Sequence, residues 1–397
     1  MLEYHFYLIR KFLFKILKFI LLYKNKIKRE ILMKINILHT EWSDGWGGQE
    51  IRIINEMVAV REKGVNVFLA CRENSTIKKK AIEHEITVFS LPFRGNADIV
   101  TIIKLINIIK KYKIDIVNTH SGKDTWVGGL AAKIAGVKFI RTRHLSTPIN
   151  SSRFNFINEL ADFIITTGES VRQNMIDNNR IKPDRIQSIP TGVNEKLFNP
   201  ANYDRNEVRK RFGIKSDKIV VGILAVLRGF KRHDIFLNVA EIVSKRYPET
   251  LFLIAGDGPR YKEIESLINQ KKLNKNVKML GHINEPAMFL SILDIFVLTS
   301  DSNEGVPQSI IQALMMEVPV IATDVGSTKD LWNEENFILV KPDSPDIIAD
   351  KILQLINDKS LLEKYKKNSR EYIVNNFSKK VMVEKLINIY NLIMENR

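Results

Sequence analysis

The chain has 397 residues, 45% of them hydrophobic and 27% charged, a balance that fits two or three folded domains and excludes a long disordered or low-complexity protein. The formal net charge is +16, of which +7 lies in residues 1–34, where nine Lys/Arg meet two Glu; no basic stripe is interleaved with aromatics, so nucleic acid is not an expected partner. A single cysteine, Cys71, excludes an internal disulfide and a cysteine-rich zinc site, reads as a small buried hydrophobe in a strand, and fits a reducing, cytoplasmic compartment.

Residues 6–23 (FYLIRKFLFKILKFILLY) are interrupted by Arg10, Lys11, Lys15 and Lys18, too often for a bilayer-spanning helix, and no small-residue cleavage site follows. Lys11, Lys15 and Lys18 fall on one helical stripe and apolar residues cover the rest, the pattern of a helix lying in an anionic membrane surface, with Lys24, Lys26, Lys28 and Arg29 adding a basic patch. A second reading stays open: Met33 precedes a natural first strand, and residues 1–32 are then an upstream extension without a role.

From residue 34 the pattern alternates. Apolar runs of strand length at 35–39, 65–70, 86–91, 114–119, 137–142 and 163–167 are separated by helical-period segments such as 49–63 and 98–112. The stretch from Ile189 to Pro200 carries turn formers and no period, which predicts a domain boundary. Alternation restarts with runs at 219–226, 251–255, 277–280, 294–298, 318–322 and 337–340, and residues 345–394 read as helix. The expected architecture is α/β: two Rossmann-like, doubly wound domains facing across a cleft, spanning 33–195 and 196–376, with 377–397 a helix that packs back on the first domain.

Chemistry concentrates where strands end. After the first strand comes Trp46-Gly47-Gly48-Gln49, glycines that let backbone N–H groups approach a phosphate at a helix start. His120 and His144 follow two further strands, the latter after Arg143. In the second half Arg228, Lys231 and Arg232 follow the strand ending at Leu227, placed to neutralise a diphosphate leaving group. Gly256-Asp257-Gly258-Pro259 makes a tight turn but lacks the third glycine of a dinucleotide fingerprint, which argues against a simple NAD site. The polar loop Ser300–Gly305 runs into a helix starting near Pro307, with Glu304 just before its free N–H groups, a grip suited to sugar hydroxyls that both donate and accept. Trp42, Trp46 and Trp126 fit either sugar stacking or the core.

Together these segments resemble the retaining glycosyltransferases of the GT-B fold, family 4, from about Met33 to the C-terminus. The resemblance implies transfer of a sugar from a UDP- or GDP-linked donor to a glycan or lipid-linked acceptor in polysaccharide or glycolipid synthesis. It implies His144 and Glu304 as catalytic; Gly48, Arg228, Lys231, Gly256, Asp257, His282, Ile283, Gly305, Val306, Pro307, Gln308 and Gln312 on the donor; and Trp46, Gly47, Gln49, His120 and Arg143 on the acceptor. It further implies front-face departure of the nucleoside diphosphate without a metal or cofactor, the nucleotide-sugar being a substrate. Two positions depart from the pattern: Gln312 stands for the second motif glutamate, and Val226 for the arginine five residues before Lys231, with Arg228 as its replacement. A GT-B nucleotide-sugar epimerase and an inactive nucleotide-sugar-binding protein are the alternative readings. The expected location is cytoplasmic, peripheral at the inner membrane face.

Overall fold

The central apolar runs, such as those at Ile116–Thr119, Leu251–Ala255 and Ile295–Leu298, become strands buried on both faces, which is what a parallel sheet covered by helices on each side requires. A computed structural model describes residues 35–144, 149, 156–302 and 304–395; the membrane-surface segment expected in residues 1–32 lies outside them. The first domain holds β1 (Asn36–Glu41), β2 (Asn66–Cys71), β3 (Thr87–Ser90), β4 (Ile116–Thr119), β5 (Lys138–Arg143), β6 (Phe163–Thr166) and β7 (Ile186–Ser188). Its helices are α1 (Gly48–Arg61), α2 (Thr76–Glu83), α3 (Ile99–Lys111), α4 (Gly122–Ala135) and α5 (Glu169–Asn179). The second holds β8 (Val220–Leu224), β9 (Leu251–Ala255), β10 (Val277–Gly281), β11 (Ile295–Leu298), β12 (Val320–Thr323) and β13 (Ile338–Val340). Between and after these strands come α6 (Arg205–Arg211), α7 (His233–Arg246), α8 (Tyr261–Gln270), α9 (Pro286–Ser291), α10 (Gln308–Met315), α11 (Pro345–Asn357), α12 (Lys359–Phe377) and α13 (Lys379–Glu395).

Both sheets are parallel and share one winding order. The first runs β3-β2-β1-β4-β5-β6-β7 and the second β10-β9-β8-β11-β12-β13. The order reverses between β1 and β4, and again between β8 and β11. At such a switch point the helices leave in opposite directions and open a crevice beyond the carboxyl ends of the strands. The two-domain α/β architecture expected from the alternation is present. Strand β7 is an addition: three residues just before the turn-forming stretch that begins at Ile189, too short to show a period. Cys71 is fully buried at the end of β2, where burial pushes its thiol up to about 11.

Local chemistry fixes the elements that carry the site. Asp98 caps α3, its carboxylate accepting from Thr101 N at 3.1 Å, and Lys110 and Lys111 sit in the last turn, where cations oppose the helix dipole. α4 starts in a capping box between Ser121 and Asp124 and stops at Gly136, whose φ of 72° suits glycine. No helix among the described residues is long and apolar enough to cross a membrane.

The chain crosses between domains twice, at one place. Val193 and Ser378 form an isolated parallel bridge, with Val193 N donating to Phe377 O (3.1 Å) and Lys379 N to Val193 O (2.8 Å). α13 then lies on the first domain. Met382, Val383, Leu386, Ile389, Tyr390 and Ile393 join the cluster formed by Ile37, Ile53, Met57 and Leu69. The Tyr390 hydroxyl donates to the Glu56 carboxylate at 3.2 Å.

Candidate active site

The second sheet builds a charged floor. After β8 the chain makes a single 3-10 turn, Gly229–Lys231, ending at Arg232 with φ of 48°. A non-glycine residue there needs outside support. Arg232 receives it from Asp234 (3.1 Å from Nε) and Asp301 (3.2 Å from Nη1), and also pairs with Asp343; these carboxylates raise its pKa above the ordinary arginine value. Asp301 N donates to Phe230 O at 2.9 Å, and the Thr299 hydroxyl lies 2.9 Å from Lys231 O. The loops after β8 and β11 are thereby tied together, and Lys231 Nζ reaches the Glu304 carboxylate, which also accepts from the Ser300 hydroxyl. Both partners are largely buried, their side chains 15% and 7% exposed. Gly326, at φ of 56°, passes so close beneath that a Cβ on it would overlap the Glu304 carbonyl oxygen; only glycine fits there.

Around this pair stand the remaining donor-side candidates. Gly305 is half-buried, Val306 and Pro307 are buried, and Gln308 and Gln312 are half-buried on α10, whose first turn follows Pro307. Arg228 is exposed at the loop rim, as is Val226, at 52%. Gly256 (φ of 144°) packs its Cα against the Ala225 carbonyl, and its N–H donates to Gly281 O at 2.8 Å. Gly256 therefore positions the turn and has no free N–H for a ligand. Asp257, His282 and partly buried Ile283 line the same edge, with Asp257 accepting from Gly258 N.

The first sheet builds a wall around neutral histidines instead. His39 in β1, His120 after β4 and His144 after β5 form a hydrogen-bonded row: His39 Nδ1 to His120 Nε2 at 2.9 Å, then His120 Nδ1 to His144 Nε2 at 3.0 Å. Burial lowers all three pKa values, that of His39 to about 4 and those of His120 and His144 well below the ordinary range. His120 is 1% exposed with both ring nitrogens engaged, so it stands behind His144, and the expectation that it touches acceptor is corrected on that ground. Gln49 is likewise turned inward, its amide donating to Glu41. Gly47 N donates to the Glu50 carboxylate at 2.9 Å, which takes the N–H that a phosphate would need, while Gly48 faces open space. Arg143 is half-buried, and burial lowers its pKa.

Glu41, Asp124 and Arg141 belong to this wall and carry no sequence signal of their own. Burial, with Asp124 nearby, raises the Glu41 carboxyl to about 8. Asp124 accepts from Thr40 Oγ1 (2.7 Å), His120 N (2.9 Å) and Ser121 N (2.8 Å). Arg141 is buried with Nε and Nη1 unpartnered and its pKa lowered by burial to about 10. The tryptophans divide: Trp46 is 41% exposed, Trp42 is half-buried with Lys123 Nζ 4.0 Å from its ring centre, and Trp126 packs edge-on against Phe156.

Charged floor and histidine wall meet. A Cβ on Gly305 would stand 3.6 Å from Thr167 Oγ1 and 3.8 Å from His144 O. Nearby, Glu169 N donates to Asp330 at 2.6 Å, and Ser170 and Ser327 share a hydroxyl contact of 2.6 Å. His144 and Glu304, more than 150 residues apart in sequence, thus face one crevice.

Comparison with known proteins follows the same division. A family model described as Glycosyltransferase Family 4 matches residues 46–197, and one described as Glycosyl transferases group 1 matches residues 204–372. The chain is 27% identical over 359 residues to the capsular polysaccharide biosynthesis glycosyltransferase CapM of Staphylococcus aureus, covering 85% of this chain and 92% of that one. It is 25% identical to an Escherichia coli UDP-Gal:alpha-D-GlcNAc-diphosphoundecaprenol alpha-1,3-galactosyltransferase, covering 90% and 97%. Among solved structures, a glycosyltransferase of Rickettsia africae superposes with a TM-score of 0.83 at 23% identity, covering 92% and 100%. Anabaena Alr3699/HepE in complex with UDP superposes with a TM-score of 0.80 at 19%, covering 90% and 100%. These two likenesses show the fold. With one family model on each sheet, in chain order, and relatives matched along nearly their whole length, the chain belongs to the GT-B glycosyltransferases.

Proposed function

We propose that this protein moves a sugar, with retention at the anomeric carbon and without a metal, from a nucleotide-sugar to a glycan or lipid-linked acceptor in cell-surface polysaccharide or glycolipid synthesis. The observation that carries the proposal is the largely buried Lys231–Glu304 pair, set at the second sheet's switch point and facing His144. A donor diphosphate draws Lys231 toward its own oxygens and frees the Glu304 carboxylate for the sugar. Arg228 at the rim adds a second cation, and the charge that grows on the departing diphosphate is met in the crevice by positive groups already in place. Gly305 to Gln308 and Gln312 are the further donor contacts; Trp46 and Arg143 remain on the acceptor side. The named activities of the Staphylococcus and Escherichia relatives, polysaccharide synthesis and a diphosphoundecaprenol acceptor, support an acceptor held at a membrane.

Thermal shift against UDP, GDP and their sugar conjugates tests the donor site, because stabilisation grows with ligand concentration over Kd. A shift with one nucleotide series supports the proposal and names the base; no shift with any of them overturns it. Residues 1–32 are assigned to an anionic membrane surface on their charge pattern. Deleting them is expected to release the protein from phosphatidylglycerol vesicles while nucleotide stabilisation is kept; unchanged vesicle binding rejects that assignment.

A further inference from the structure

The histidine row also fixes where its protons sit. Three neutral imidazoles carry three ring protons on six nitrogens, and each of the two contacts needs one proton between its nitrogens. Only two arrangements satisfy that condition along the whole row. In one, every proton points toward His39, so His39 Nε2 carries an N–H and His144 Nδ1 is a bare acceptor. In the other, His39 donates from Nδ1 to His120, His120 donates from Nδ1 to His144, and His144 carries its own proton on Nδ1.

The buried end decides between them. His39 is fully buried, and its Nε2 has no hydrogen-bond partner. Glu56 is the nearby anion, but its Oε2 accepts from Arg52 Nε at 3.2 Å, and its Oε1 accepts from the Tyr390 hydroxyl and, at 3.4 Å, from Asn118 Nδ2. An orphaned N–H is the rarer defect in a protein interior, so the arrangement leaving a bare lone pair on His39 Nε2 is favoured. At the other end His144 is half-buried with Nε2 tied to His120, which leaves Nδ1 as the ring nitrogen for the crevice.

We propose that His39 and His120 are positioning residues that hold His144 as its Nδ1–H tautomer, so that His144 meets the donor's phosphate or sugar oxygens as a neutral hydrogen-bond donor and not as a base. This rests on the function proposed above for the partner that His144 meets, but the tautomer itself is a property of the free protein. A ring fixed in one tautomer by a partner behind it works without reorganisation, whereas the wrong tautomer presents a lone pair to an oxygen lone pair.

The test is nitrogen-15 imidazole spectroscopy on the full chain labelled at histidine, with the His144 signals identified by their loss in His144→Ala. The wild-type spectrum at neutral pH is expected to show His144 protonated at Nδ1. His39→Asn keeps an N–H donor near the position of ring Nδ1 and is expected to keep that tautomer. His39→Leu removes the donor and is expected to give a mixture of tautomers at His144. Nucleoside diphosphate release from the sugar nucleotide is expected to fall roughly ten- to a hundredfold in His39→Leu, as for other outer-sphere partners of functional histidines, and to be largely restored in His39→Asn. An Nε2–H tautomer in the wild type, or a His144 spectrum unchanged in His39→Leu, overturns the proposal, and the wild-type reading does not depend on the folding of any His39 variant. The expected spectra together with no binding or turnover of any sugar nucleotide would instead remove the functional proposal and leave the tautomer assignment standing.

Discussion

The two switch points share a winding order and differ in electrostatics. At the second, Lys231, Glu304, Arg232, Asp234 and Asp301 are held by one another. At the first, three histidines are neutral through burial and Glu41 holds its proton up to about 8. The same topology therefore supplies opposite halves of one crevice. One half is a network of ion pairs; the other sets neutral histidines beside the arginines Arg141 and Arg143. The difference arises from the side chains after each strand and not from the fold, which is why a shared fold alone does not assign chemistry.

The sharpest way to break this comparison is Glu304→Gln, expected to cut turnover by about a hundredfold or more while nucleotide stabilisation persists, as removal of a preorganised electrostatic group does. Wild-type turnover would place the chemistry elsewhere. Next in size is Gly326→Ala, which forces a Cβ onto the Glu304 carbonyl at a positive φ. It is expected to lower stability by about 1–3 kcal/mol and to abolish turnover together with it, read by melting and donor turnover. Gly48→Ala at the other switch point meets nothing within 4 Å and is expected to leave the melting temperature unchanged.

Within the first wall, two groups give pH dependences of opposite sign. His39 has a folded pKa of about 4 against 6.5 unfolded, so the unfolded chain binds more protons between those values and stability falls as pH drops through that window. Glu41 runs the other way: its folded pKa is raised to about 8, so its contribution is fully present below its unfolded pKa of 4.5 and is lost as pH rises through 8. Denaturant melts from pH 4 to 9 are expected to show a shallower acid limb in His39→Asn and a shallower alkaline limb in Glu41→Gln. A modest effect belongs to Tyr390→Phe, which removes one hydrogen bond to Glu56 and is expected to cost about 1–2 kcal/mol in melting experiments with no change in nucleotide affinity.

Much of the scaffold is legible because its signals are local. The run Ile35–His39 anticipates β1, and the amphipathic period at 98–112 anticipates α3, because alternation and helical spacing are properties of a few neighbouring residues. The Ser300–Pro307 loop is legible for the same reason: a strand end, a carboxylate and a helix-starting proline lie within eight positions. The histidine row is not, since nothing local relates His39 to His120. The parallel register that pairs His39 with Asn118 brings them together, and register is a long-range choice. Glu41 and Asp124 escape notice because a carboxylate's role here depends on how deeply it is buried. Gln49 and Gly47 show the opposite case: their residue types suit a ligand, and the fold gives one Gln49 amide bond to Glu41 and the Gly47 N–H to Glu50.

The position of α13 bears on the order in which the molecule is made. Met382, Val383, Leu386, Ile389, Tyr390 and Ile393 complete a cluster whose other buried residues lie between Ile35 and Ile189. While the second half is still being synthesised on the ribosome, the first half must wait with one apolar face uncovered. Its folding is closed by a segment that emerges only after the second half, so a product stalled or shortened before α13 would expose a sticky surface on the half that was made first.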